Sequence, residues 1–135
     1  MKPPLEHGPA GTPQDWLMHA ESDLNLARVI RERADVLPEQ ACFHAQQAAE
    51  KALKAVLLFN GIDFPLIHDI EELLELAKQN KMVPPQEVSD ASALTPYAVE
   101  ARYPGHVEQV TPSDVDEAIH LAESVLRWAS EILGG

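Results

Sequence analysis

The chain has 135 residues, enough for one domain that buries a core without help from disulfides or metals. Its single cysteine, Cys42, excludes a disulfide framework and a cysteine-based zinc site within one chain, and it fits a reducing compartment. Ten basic residues against 22 acidic ones give a formal charge of −12, which excludes a general groove for duplex DNA and leaves room for a small local phosphate site.

No stretch offers the ~18 or more consecutive apolar residues of a membrane span. The opening MKPPLEHGPAGTPQ lacks the apolar run of a secretory signal. The expectation is a soluble, cytoplasmic protein without membrane contact.

In chain order, residues 1–11 are rich in proline and glycine and show no period, which predicts a mobile tail before a single helical domain at 12–135. Thr12-Pro13-Gln14-Asp15 is a helix start. Thr12 can cap, Pro13 needs no donor in the first helical position, and Asp15 completes a capping box. A first helix is predicted over 13–33, with Trp16, Leu17, Ala20, Leu24, Ala27 and Ile30 inward. Arg28, Arg31 and Arg33 close it, where the helix dipole favours cations.

Residues 37–61, LPEQACFHAQQAAEKALKAVLLFNG, read as the central helix, opened by Pro38 and closed by Gly61. The short break before it makes helices one and two antiparallel neighbours. At 3.6 residues per turn, Ala41, Cys42, Ala45, Ala48, Ala49, Ala52, Leu53, Ala55 and Val56 share one face. These side chains are mostly small, so a partner helix can approach closely. The opposite side carries His44, Gln47, Glu50, Lys51 and Lys54, of which His44, Gln47, Lys51 and Lys54 form one stripe. That stripe is either a solvated face or a ligand-facing one. Glu50 is spaced to pair with Lys54, and an exposed pair of this kind adds ~0.2–0.5 kcal/mol.

A third helix is predicted over 68–80, with Ile70, Leu73, Leu74 and Ala77 inward and Asp69, Glu71 and Glu72 suiting its dipole. After Pro84-Pro85 a fourth begins near Gln86, with Val88, Ala91 and Leu94 in the core. Pro96 must interrupt it, with Thr95 expected to cap a restart, and 103–110 should be irregular. Thr111-Pro112-Ser113-Asp114 repeats the first start signal and opens a last helix over 112–133. Its inward set is Val115, Ala118, Ile119, Ala122, Val125, Leu126 and Ala129. Period-two alternation is absent, so the fold class is all-α: an up-and-down bundle of five helices.

Four signatures in this order resemble the HEPN domain family. They are Trp16-Leu17 through Asp23-Leu24, the run ACFHAQQAAEKALKA at 41–55, His68-Asp69-Ile70, and Ala101-Arg102-Tyr103-Pro104. The resemblance implies a helical bundle, frequent homodimers and frequent pairing with a minimal nucleotidyltransferase in a two-component, toxin-antitoxin-like module. It also implies nucleotide or RNA as ligand, and no cofactor. Many relatives are metal-independent RNases whose motif is an arginine, four to six residues and a histidine. Here only Tyr103, Pro104 and Gly105 separate Arg102 from His106, and Pro-Gly is turn chemistry.

Two readings follow. The first is a dimeric interaction module that binds a nucleotide, with His44, Gln47, Lys51, Lys54 and Tyr103 as candidate ligand contacts. The second is a metal-independent RNase. In it His106 abstracts the ribose 2′-hydroxyl proton and Arg102 stabilises phosphate charge. A bridging Arg102 and a plain loop His106 are the structural alternatives. The six histidines do not form a zinc set, since none share i, i+4 spacing on one helix. Tyr97 and Tyr103 read as packing residues rather than base-stacking platforms.

Overall fold

The computed structural model describes residues 11–64, 69–100 and 109–134. The helices are α1 (Pro13–Arg31), α2 (Pro38–Phe59), α3 (Ile70–Gln79), α4 (Gln86–Ser89), α5 (Tyr97–Glu100) and α6 (Pro112–Gly134). A 3-10 turn, Asp90–Leu94, joins α4 toward α5. These three short pieces occupy the place of the predicted fourth helix, and no strand occurs among the described residues.

Both predicted capping boxes form. Thr12 Oγ1 accepts from the Asp15 amide at 3.1 Å while Asp15 accepts from the Thr12 amide at 2.9 Å. Thr111 and Asp114 repeat the exchange at the same two distances at the start of α6. Each box satisfies amides that the helix itself leaves without partners. At the far end of α2, Gly61 takes φ +71°, and the Gly61 and Ile62 amides return to the Leu58 and Leu57 carbonyls. That reversal needs the left-handed region that glycine tolerates. Asp69 caps α3 through the Glu71 amide at 2.9 Å.

The central position of α2 follows from its alanines. Ala41, Ala45, Ala48, Ala49, Ala52 and Ala55 are all fully buried, and α2 packs along both α1 and α6. The inward sets of α3 and α6 are buried as predicted, as are Val88, Ala91 and Leu94. Ala20, Leu24, Ala27 and Ile30 are buried on α1, with Trp16 and Leu17 half-buried against the core. Arg28 meets Glu123 at 2.8 Å and Arg31 meets Asp116 at 3.5 Å, so α6 runs antiparallel to α1.

Three expectations change. α1 ends at Arg31 rather than at Arg33, with Glu32 as its C-cap. Thr95 does not act as an extended cap: its backbone is helical, at φ −50° and ψ −43°, and its hydroxyl lies 3.5 Å from Asp69 Oδ1. The polar side of α2 is not a solvated face, because Gln46, Glu50 and Lys54 are buried. Residues 1–10, His68, the 101–104 signature, and the expected irregular segment up to residue 108 lie outside the described residues.

Candidate functional site

The polar residues of α2 pair in two layers, and His44, Lys51 and Lys54 reach residues of α1. The inner layer is built on Glu50. Its Oε2 accepts from the Lys54 ammonium at 2.9 Å and its Oε1 accepts from the Gln46 amide at 3.0 Å. Gln47 in turn donates to Gln46 Oε1 at 2.7 Å. The Lys54 and Glu50 side chains are only 7% and 6% exposed, so this pair is far from the solvated pair predicted from the spacing. Removing two charges from water is costly, and the pair is tolerable because each charge has further support. Gln46 supports the carboxylate. The ammonium lies 5.7 Å from the Trp16 ring centre and 5.6 Å from that of Phe64, within range of cation–π attraction.

Trp16 and Phe64 meet edge to face at 6.0 Å, closing the inner layer toward α1. The Trp16 indole N–H is sealed from solvent without an acceptor among the described residues. A buried donor left in this state costs ~1–3 kcal/mol.

The outer layer is built on Asp23 of α1. Its Oδ2 accepts from the Lys51 ammonium at 2.7 Å, and its Oδ1 accepts from Nδ1 of His44 at 3.0 Å. The carboxylate is the least exposed of the three side chains, at 13% against 23% for His44 and 28% for Lys51. His44 is further fixed by an edge contact with Phe43. One half-buried carboxylate thus holds an ammonium and an imidazole side by side at the surface of the α1–α2 groove.

Lys51 also lines a cavity of about 400 Å³ with Gly11, Asp15, Trp16 and His19. The antiparallel pairing brings Asp15, His19 and Asp23, one helical turn apart on α1, alongside the α2 stripe. A groove lined by Glu87, Asp90, Asp116, Glu117 and His120, between the α4 region and α6, has the opposite character. Its four carboxylates repel phosphate. Among the described residues, no group of three or more histidine, cysteine or acidic side chains could hold a metal ion.

Of the predicted ligand contacts, the structure brings His44, Gln47, Lys51 and Lys54 into this two-layered network, with Lys54 inside and Lys51 outside. Tyr103, Arg102 and His106 lie outside the described residues. Tyr97 packs against the core. Sequence reasoning missed Asp23 as the anchor, although a signal existed. Asp23 falls three residues after Ala20 and four before Ala27, so a charge sits on the inward arc of α1. Asp15 and His19 were missed as cavity residues because their side of α1 shows no apolar period.

Residues 13–133 match the HEPN domain. The chain is 28% identical over 136 residues to the protein named "Putative toxin MJ1304" of Methanocaldococcus jannaschii, covering 87% of this chain and 86% of that relative. Two crystal structures are similar. ST0689, described as an archaeal HEPN homologue, superposes with a TM-score of 0.73 at 32% identity, covering 90% of this chain and 98% of its own. TT1696 from Thermus thermophilus superposes with a TM-score of 0.72 at 30% identity, covering 89% and 97%.

Proposed function

This chain belongs to the HEPN domain family, and from that premise we propose that it is the nucleotide-binding and interaction component of a toxin-antitoxin-like module. Its partner in that module is a minimal nucleotidyltransferase, and it acts in the cytoplasm as a homodimer. The observation that carries the ligand assignment is the Asp23 carboxylate, held beneath Lys51 and His44 at the edge of a cavity. This arrangement places a cation in the wall of a concave site, with a hydrogen-bonding ring beside it, on rigid helices. Gln47 belongs to the same surface, and Lys54 stiffens it from below.

Support for the module comes from the relative named as a toxin. Support for self-association comes from Met18, Leu26 and Val29, large apolar residues that α1 leaves exposed on one side. Titration calorimetry of the chain with adenine nucleotides tests the ligand assignment. Binding that Lys51→Met weakens at least tenfold is expected. Co-expression with the nucleotidyltransferase of a neighbouring reading frame tests the module, and failure of the two chains to co-purify would count against it.

A second reading, a metal-independent RNase using Arg102 and His106, draws on the same toxin relative. The three-residue spacing between them is shorter than the family motif, which favours the first reading. Cleavage of total RNA that both Arg102→Ala and His106→Ala abolish, in variants that melt like wild type, would reverse the order.

A further inference from the structure

Lys51 and His44 share one carboxylate, and what each retains after that contact defines a recognition unit. The Lys51 ammonium spends one N–H on Asp23 Oδ2 and keeps two. His44 meets Oδ1 of the same carboxylate through Nδ1. An ionised carboxylate only accepts, so the Nδ1 proton is the donor, and in the neutral ring Nε2 is left as an acceptor. No described residue donates to Nε2. The carboxylate lies deeper than either partner, so with the ring in its neutral form the surface presents donors on a cation beside an acceptor, with the negative charge underneath.

A ligand that fits must carry a hydrogen-bond donor next to an anion. A ribose 2′-hydroxyl beside a 3′-phosphate has that form, and it is what distinguishes RNA from DNA at a binding site. The adjoining cavity of about 400 Å³ is of a size to take a base. We propose that His44, its tautomer set by Asp23, reads the ribose 2′-hydroxyl of a ribonucleotide unit while Lys51 holds the vicinal 3′-phosphate. This rests on the nucleotide-binding reading above and adds the sugar to it. It also agrees with the chain's charge of −12, since recognition runs through one cation and one hydrogen bond. For a single phosphate contact the salt dependence is shallow, with a slope of about −0.7 on logarithmic axes.

The same ribose-phosphate chemistry occurs in a free 3′-ribonucleotide and in an RNA strand. The test therefore uses adenosine 3′-monophosphate and its 2′-deoxy counterpart, together with a twelve-nucleotide oligoadenylate as RNA and as DNA. Affinities are measured by calorimetry on the full chain. The ribo ligand should bind about tenfold tighter than the deoxy ligand, a modest value for a hydroxyl read at a half-exposed acceptor. His44→Phe should remove that preference, His44→Gln, which keeps an acceptor, should retain part of it, and Lys51→Met should weaken both sugars in parallel. A preference already present with the mononucleotide assigns the free ribonucleotide as sufficient; one present only with the oligomer assigns the strand. Equal affinity of wild type for ribo and deoxy ligands overturns this inference while leaving nucleotide binding intact. Absence of binding to all four overturns the ligand reading as well. Should His44→Phe fail to melt cooperatively, the wild-type ratio and His44→Gln still decide the matter.

Discussion

The ammonium of Lys54 lies 2.9 Å from Oε2 of Glu50, one turn back on α2, and neither side chain is more than 7% exposed. Removing one partner strands the other charge inside the bundle. Glu50→Ala should therefore cost ~3–5 kcal/mol, the range for breaking a buried pair. Lys54→Met should cost less, because the Gln46 amide still donates to Glu50 and the methionine stem still fills the space beside Trp16 and Phe64. Urea unfolding of both variants checks the order. Equal losses below ~1 kcal/mol would mean that the pair is solvated after all.

The alanine face of α2 sets how near α1 and α6 can come. Ala48 and Ala52 are fully buried, so there is no free volume for a larger side chain. Ala48→Leu and Ala52→Leu should each lower stability by ~1–3 kcal/mol or more through overpacking. Thermal melting of the two variants is the check, and wild-type midpoints in both would contradict the central placement of α2.

Cys42 is fully buried, and burial pushes its thiol from the ordinary 9.0 up to about 12, only partly offset by the Tyr97 hydroxyl. Well below pH 9 both the folded and the unfolded chain keep the proton, so the group adds no pH dependence there. As pH rises from about 9 toward 12 the unfolded chain releases it while the folded chain retains it, and stability falls across that window. Cys42→Ala should flatten that part of the stability profile. In the native protein at pH 8, a thiol reagent such as Ellman's should react only as fast as the protein opens.

How much of this could be read from the sequence depended on the kind of signal. Start and stop signals are local chemistry, so the Thr12–Asp15 and Thr111–Asp114 boxes and the Gly61 reversal stand where the residues put them. Apolar periodicity located the core for the same reason. It failed on the other side of α2, because period alone sends polar residues outward. Glu50 and Lys54 lie inward beside a donor from Gln46, one turn back on the same helix, and aromatic faces from Trp16 and Phe64, which come from other segments of the chain. Asp23 was unassigned for a related reason. A lone carboxylate on an inward arc signals a partner without naming it, and its partners lie 21 and 28 residues away on α2.

The ligand site assigned to the α1–α2 groove can be tested by following amide resonances of the full chain during titration with adenosine 3′-monophosphate. Saturable shifts are expected at His19, Asp23, His44, Gln47 and Lys51, with the groove around Asp116 and Glu117 unmoved. Shifts confined to that acidic groove, or none at these five residues at millimolar ligand, would contradict the assignment.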